Sequence, residues 1–449
     1  MQQLAKWLEE NKITEVECIT PDQTGIARGK IMPTGKFIAE GGIRLPQSVL
    51  LQTATGDYPE SELYYRLLDP RDIDMVLVPD ESAVFMVPWA LEPSAQVIHD
   101  CFDGEGNVFS LSPRSILRRV LKLYSDKGWE PIVAPEMEFY LTKRCTDPDL
   151  PLEPPKGRSG RQESGRQSFS IDAANEFDPI IEDIYDWCEE MNLDIDTVIH
   201  EEGPAQLEFN FRHGNALSLA DQVFIFKRTV REAALKHKID ATFMAKPIES
   251  EPGSSMHIHQ SLTDSQTGEN LFSNADGSPS ELFKHYIGGL QHYMPMMMPL
   301  FAPNVNSYRR FLPGEDGSAP TNIEWGEENR TTGLRVPQSK PNARRVENRV
   351  PGSDTNPYLA LAGSLAAGYL GMLNKLEPRE PIAGRYQGEG VDIPSNLEFA
   401  LEAMAESEEV REILGGDFVD GFIGTRLAEY EGFKRVISSW EREFLLTAV

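Results

Sequence analysis

The chain has 449 residues, 40% of them hydrophobic and 25% charged, with a net charge of −28. That length allows two or more domains around a large core. So acidic a chain excludes a duplex nucleic-acid partner, whose phosphates are met mainly by Lys and Arg, and suits a metal ion and a cationic small molecule.

Cys18, Cys101, Cys145 and Cys188 are scattered, with no C-x-x-C spacing, which points to reduced thiols and a cytoplasmic protein. The first ten residues predict an amphipathic helix rather than a signal segment. Residues 16–19 and 27–32 then predict strands joined by a turn at Pro21-Asp22-Gln23-Thr24-Gly25. Gly25-Ile26-Ala27-Arg28-Gly29-Lys30 fails as a phosphate-binding loop, because it is one step short and Ile31 stands where Ser or Thr should bind Mg²⁺. Residues 75–78 and 83–87 predict two further strands, so residues 1–105 form a compact α+β unit.

Ser112-Pro113 opens a predicted helix stopped by Gly128. Residues 142–167, rich in Pro and Gly without apolar periodicity, predict an exposed loop. Helices are predicted over 173–191 and 218–238, and the methionines of 294–298 read as core filling. Asp354 is the expected cap of a buried helix ending near Leu373. The apolar run 359–373 inside it is too short for the roughly 20 residues that cross a bilayer, so no membrane segment is expected. Residues 396–446 predict mostly amphipathic helix.

Four stretches carry the chemistry. In a strand, residues two apart share a face. That parity puts Glu136 and Glu138 opposite Val133, Met137 and Phe139. It puts Gln206, Glu208, Asn210 and Arg212 opposite Leu207, Phe209 and Phe211, and Ser255, His257, His259 and Ser261 opposite Met256 and Ile258. Arg345, Glu347 and Arg349 form one face of the last stretch. Carboxylates and imidazoles converging in one cavity need a compensating cation. Oxygen-dominated ligation with a histidine suits Mg²⁺ or Mn²⁺. Arginines beside it call for a second, anionic occupant, and metal with phosphate suggests ATP.

Taken in order, Glu-x-Glu, Glu201…Gln206-x-Glu208, Gly-Ser-x-Met-His-x-His, Asn306-Ser307-Tyr308-Arg309-Arg310, Asn329-Arg330-Thr331-Thr332-Gly333-Leu334-Arg335 and Arg345-x-Glu347-x-Arg349 resemble the glutamine synthetase family over nearly the whole chain. The resemblance implies an α+β fold: an amino-terminal β-grasp domain over residues 1–105, and over 106–449 a larger catalytic domain with a curved antiparallel sheet that binds ATP, glutamate and metal. It implies homo-oligomers of one hexameric ring, or two stacked as a dodecamer, with sites between neighbouring subunits. Glu138, Glu201 and Glu208 would hold one Mg²⁺ or Mn²⁺, and Glu136, His257 and Glu347 a second. His259 and Ser261 would lie near ATP, with Arg330, Arg335 and Arg345 toward its phosphates. Gly253, Arg310 and Arg349 would position L-glutamate. The implied reaction activates the glutamate γ-carboxyl as a γ-glutamyl phosphate, which an amine then displaces.

The chain departs from ammonium-using members around the nucleophile. It has Gln52-Thr53-Ala54-Thr55-Gly56-Asp57-Tyr58-Pro59-Glu60 in place of an Asp-Gly-Ser-type segment, and Pro313-Gly314-Glu315-Asp316-Gly317-Ser318-Ala319-Pro320 in place of a Tyr-Glu-Ala-Pro flap. Proline stands at 252 where asparagine is usual. These changes point to an alkyl amine or polyamine acceptor, as in the γ-glutamylpolyamine synthetase branch. Asp57, Glu60, Glu315 and Asp316 are candidates to receive the amine and Arg330 is a catalytic candidate. Ammonia-dependent glutamine synthesis, a dinuclear metallohydrolase and a non-catalytic amine sensor are the alternative readings.

Overall fold

The computed structural model describes residues 1–312, 319–388, 390 and 393–449. The amino-terminal part builds a five-stranded sheet from β1 (Glu15–Pro21), β2 (Ala27–Pro33), β3 (Ile43–Pro46), β4 (Asp74–Met86) and β5 (Ser94–Phe102), in spatial order β2-β1-β5-β4-β3. The β1–β2 pair is an antiparallel hairpin, while β1 and β5 run parallel. Leu8, Val16, Phe37, Leu50, Leu77 and Val97 belong to the apolar cluster beneath it.

Two expectations are corrected here. Residues 75–78 and 83–87 are not separate strands but parts of β4, which continues through a register irregularity between Pro79 and Val84. Strand β5 gives no periodic signal, because it lies between β1 and β4 and the residues from Ser94 to His99 are all buried. A strand covered on both faces does not alternate.

The second sheet is assembled from β6 (Trp129–Thr142), β7 (Ile195–His200), β8 (Gln206–Phe211), β9 (Gly214–Asn215), β10 (Asp240–Thr242), β11 (Met256–Asp264), β12 (Trp325–Glu327), β13 (Leu334–Val336) and β14 (Val346–Asn348). Its order is β12-β13-β14-β11-β6-β8-β7, with β9 and β10 also on β6. Every pairing except β12–β13 is antiparallel. The alternation read from the sequence is the alternation observed. Met137, Phe139, Leu207, Phe209, Met256 and Ile258 are all fully buried on one face, against the helices Pro113–Ser125 and Ala216–Lys236. The other face carries the acids and imidazoles.

Two long helices, Glu281–Phe301 and Pro357–Asn374, pack closely behind this core. A Cβ on Gly289 would fall 2.5 Å from the Gly371 Cα, so only glycines let the two backbones cross there. Met294, Met297 and Met298 fill the core, as expected. The cap of the second helix is Asn356, which accepts from the Tyr358 and Leu359 amides, and not Asp354. Asp354 instead accepts from Asn304 and Ser307. The helix expected over 173–191 is two helices, Ile171–Glu176 and Asp178–Glu190, separated at Phe177 where Pro179 opens the second. No helix among the described residues is long and apolar enough to cross a membrane.

A buried guanidinium ties the two sheets together. Arg114 is fully buried and reaches Asp100 at 2.6 Å, Asp80 at 2.7 Å and Asp221 at 2.7 Å. Asp80 and Asp100 belong to β4 and β5, whereas Asp221 sits on the helix Ala216–Lys236, held also by the Tyr358 hydroxyl at 2.6 Å. Removing this cation would leave Asp221 buried without a cationic partner, while Asp80 and Asp100 would keep only the half-exposed Arg118, at 2.6 and 3.0 Å. Arg114→Ala should therefore lower the unfolding free energy by about 3–5 kcal/mol, read from denaturant melts at fixed protein concentration. A loss under about 1 kcal/mol, the level of a surface pair, would show that the network is not what joins the sheets.

Candidate active site

Register assembles the polar face. Directly opposed residues of antiparallel strands share a face, and the pairings set Glu136 against His257, Glu138 against Glu208, and Glu347 against both His259 and Arg335. Side-chain contacts follow. His257 Nδ1 lies 3.2 Å from Glu136 Oε2 and 3.7 Å from Glu347, and His259 Nε2 lies 2.9 Å from Glu136 Oε1. Donor atoms of Glu136, Glu208 and His257 come within 4.8 Å of one another, as do those of Glu136, His259 and Glu347. These trios cut across the two ligand sets implied by sequence, because both imidazoles draw Glu136 to the middle of the group.

The carboxylates are too crowded to ionise together. Burial and then Glu201 push Glu138 up to about 8. Burial, reinforced by Glu138, Glu136 and Glu201, raises Glu208 well above the usual range, and burial raises Glu201. At the other end burial also disfavours charge, but His257 and His259 outweigh it and hold Glu136 well below the ordinary range. Arg349 and the same imidazoles bring Glu347 down to about 2. Burial and Arg349 lower the pKa of His257, favouring its neutral ring.

Ser255 links Glu138 to His257. Its amide donates to Glu138 Oε2 at 2.8 Å, and its hydroxyl lies 2.7 Å from Glu138 Oε1 and 3.0 Å from His257 Nε2. His257 Nδ1 faces Glu136 Oε2 at 3.2 Å. Carboxylate and imidazole donors without a thiolate fit a hard divalent cation. Parity placed Ser255 on this face, but the sequence reading gave it no role.

Arginines line the same space. Arg335 donates to Glu347 Oε2 at 2.7 Å and Arg349 to Glu347 Oε1 at 2.5 Å, while Arg345 Nε donates to His259 Nδ1 at 3.2 Å. Arg310 is buried, donates to the Val350 carbonyl and is brought down to about 10 by burial. Arg310, Arg335 and Arg349 each keep a buried Nε with no acceptor among the described residues. Gly253 sits where a Cβ would come within 2.5 Å of Arg310 Cγ, so the chain can pass there only as glycine.

The remaining candidates are more peripheral. Arg330 is exposed on the Glu201 side, where its charge favours ionised Glu201. Ser261 donates to the Arg344 carbonyl at 2.8 Å and so braces the turn leading into β14. The loop holding Asp57 is anchored to the helix Gly416–Lys434 by the Ala54 amide on Glu429. No hydrogen bond or ion pair joins Asp57 to the Glu136 group among the described residues. Glu60 is exposed just before the helix Ser61–Leu67. Glu315 and Asp316 lie outside the described residues. The loop 142–167 is exposed as expected, yet Glu163 accepts from the Ala205 amide at 2.6 Å and faces His200 Nε2 at 3.1 Å, and Arg166 reaches Glu202 at 3.0 Å. The loop thereby secures the turn that carries Glu201, a role absent from its composition.

Residues 110–445 match the family model of the glutamine synthetase catalytic domain. The chain belongs to the glutamine synthetase family. It is similar to the γ-glutamylputrescine synthetase PuuA of Escherichia coli (strain K12), with 36% identity over 454 residues that cover 99% of this chain and 94% of the relative. It is also similar to the glutamate–isopropylamine ligase of a Pseudomonas species, 31% identical over 444 residues and covering 97% and 95%. The glutamine synthetase of Methanocaldococcus jannaschii is 34% identical over 383 residues, 82% of each chain. Among solved structures, the GmaS/ADP complex superposes with a TM-score of 0.85 at 26% identity, covering 99% of this chain and 100% of that one. The chain is thus a ligase of the glutamine synthetase family, and its convergent face lies within the family's catalytic domain.

Two measurements follow from the charge crowding. A carboxylate raised from 4.5 to about 8 binds its proton more tightly in the folded chain than in the unfolded one, so ΔG of unfolding falls as pH rises across that window. Metal-free protein should lose stability between about pH 5 and pH 8, saturating Mg²⁺ should flatten the slope, and calorimetry in buffers of different ionisation enthalpy should record proton release on metal binding. A metal-free stability that rises with pH would contradict the assignment. Ser255→Ala, which removes the hydroxyl shared by Glu138 and His257, should weaken metal affinity by about 10–100-fold with little change in the melt of the metal-free chain.

Proposed function

We propose that this ligase joins the γ-carboxyl of L-glutamate to an alkyl amine or polyamine, using ATP and passing through a γ-glutamyl phosphate. The observation that carries the reading is the single face on which Glu136, Glu208, His257, His259 and Glu347 meet Arg335, Arg345 and Arg349. Acids and imidazoles there suit divalent cations, and arginines with unused buried donors suit phosphate and carboxylate. The acceptor is supported by two relatives that match almost end to end and are named for putrescine and isopropylamine.

Glu138, Glu201 and Glu208 are assigned to one Mg²⁺ or Mn²⁺ and Glu136, His257 and Glu347 to another, which would neutralise charge as the phosphoryl group moves. Arg345, aimed by its bond to His259, and Arg335 and Arg330 are assigned to the ATP phosphates, with His259 and Ser261 beside the nucleotide. Arg310 and Arg349 are assigned to the glutamate carboxylates, with Gly253 leaving room for them. The amine must arrive as the neutral base, so an acid at its entry is needed to take the proton. Asp57, Glu60, Glu315 and Asp316 are the candidates.

The position of Asp57 supports a ring. We assign Asp57, whose loop is fixed on a carboxy-terminal helix of its own chain and makes no bond to that chain's Glu136 group among the described residues, to the face of a neighbouring subunit. We assign residues 1–105 to a β-grasp domain, supported by the parallel β1–β5 pair flanked by antiparallel strands, and residues 106–449 to the catalytic domain.

Ammonia as acceptor is the second reading, favoured by the similarity to an archaeal glutamine synthetase. Protein supplied with ATP, Mg²⁺, L-glutamate and a panel of ammonia, methylamine, isopropylamine, putrescine and spermidine separates the two by phosphate release and product mass. An alkyl amine or polyamine should exceed ammonia in kcat/KM by at least about tenfold, the worth of roughly one good contact to the alkyl chain. Ammonia surpassing every amine would end the amine-ligase reading. Turnover without ATP would instead point to a metallohydrolase.

A further inference from the structure

The catalytic face leaves a second polar recess unexplained. Between the tip of the β1–β2 hairpin and the helix Ala216–Lys236 lies a cavity of about 580 Å³, walled by Thr24, Ile26, Lys227, Arg231, Phe243 and Asn306 among others. In a chain of net charge −28 this recess is basic. Lys227 and Arg231, one helical turn apart, share the Phe243 ring, with Lys227 Nζ 5.2 Å and the Arg231 guanidinium carbon 5.1 Å from its centroid.

Lys227 is half-buried and feels the charge of Asp354, while Arg231 is exposed and forms no ion pair with a described residue. Lys227 Nζ donates to the Ser353 carbonyl at 2.7 Å and the Thr355 carbonyl at 3.0 Å. An ammonium has three donors, so one remains. Arg231 has five, and no hydrogen bond or ion pair joins it to any described residue. Neighbouring Arg228 is already committed, to Glu17 at 2.7 Å and to Gln96. Of the acids on the wall, Asp354 accepts at Oδ2 from Asn304 and Ser307, keeps Oδ1 without a hydrogen bond among the described residues, and favours the charged form of Lys227, but it makes no hydrogen bond or ion pair with either cation; Glu232 pairs with neither. Burial and then Arg231 push Lys227 down to about 7, so the two positive charges disfavour one another.

We propose that this recess binds a small dianion, a carboxylate or phosphate, held between Arg231 and the free donor of Lys227. Two like charges beside an aromatic face in a partly closed cavity are stabilised by such an occupant, and a guanidinium meets carboxylate and phosphate in the same bidentate way. The Asn304–Asn306 wall runs directly into the short helix Ser307–Phe311 that carries Arg310. An ion here would thus lie one segment away from a residue of the catalytic face.

Succinate and inorganic phosphate are the probes, titrated calorimetrically into the intact assembly with a non-hydrolysable ATP analogue, Mg²⁺ and L-glutamate already saturating so that the catalytic face, including the position of the γ-phosphate, is filled. One succinate or phosphate should bind per chain, and Arg231→Ala should weaken that binding by about tenfold or more, with Arg231→Lys retaining part of it. The variant's turnover in the absence of either probe should match the parent, since Arg231 touches nothing that the reaction uses. Preference for succinate assigns an organic carboxylate, and preference for phosphate assigns a phosphate. The proposal falls if the saturated parent binds neither probe, or if Arg231→Ala binds them equally well. It falls equally if that variant binds no anion but dissociates on a sizing column, which would assign Arg231 to a subunit contact.

Discussion

Repulsion among carboxylates gathered on one face of a sheet is the constraint on which the rest of this molecule depends. Glu136, Glu138, Glu208 and Glu347 are brought together by the register of four antiparallel strands, β8, β6, β11 and β14, with Glu201 arriving on a turn. Left alone such a group would protonate or fly apart. The fold answers by placing two imidazoles and Arg335, Arg345 and Arg349 among the acids. That divides the face into a half where burial and like charge push the acids toward protonation, near Glu138 and Glu208, and a half where imidazoles and arginines favour the charged form, near Glu136 and Glu347.

Holding this arrangement requires a rigid back. The opposite side of the same strands is packed under helices and is apolar apart from Gln260 and Asn348, which both donate to Ser364, so a strand cannot slip by one residue without burying glutamates and exposing Phe139, Phe209 and Ile258. Register and chemistry are thereby locked by the same packing. Arg114 extends the lock to the amino-terminal sheet, whose own surfaces carry no part of the Glu136 group. Smaller devices then trim positions within the face. Ser255 orients Glu138 and His257 together, Ser261 and Asn270 hold the turn before β14, and Glu163 with Arg166 pins the turn bearing Glu201.

The helix Ala216–Lys236 serves two surfaces at once. Its apolar stripe, with Val223, Phe226 and Val230, supports the sheet, while Asp221 closes the Arg114 network and Lys227, Arg228 and Arg231 face the hairpin of the first sheet. Charge is therefore unevenly distributed. In a strongly acidic chain the acids of the catalytic face are offset by arginines and imidazoles, and Lys227, Arg228 and Arg231 form a basic edge at the junction between sheets.

Much of the face was legible in sequence because side-chain parity in a strand is a property of the backbone alone. Glu136 with Glu138, His257 with His259, and the apolar residues between them could be sorted before any contact was known, and the ordering of the motifs carried the family. The burial of β5 was not legible, since it is set by what packs alongside, whereas the cap at Asn356 before Pro357 and the break at Phe177 before Asp178-Pro179 follow from local cap and first-turn proline signals. Parity says which side a residue faces. It is silent on its neighbour across the ladder, and so the meeting of Glu136 with His257, of Glu138 with Glu208 and of Glu347 with Arg335 was decided only by register in the folded sheet, where residues far apart in the chain share one low-dielectric space.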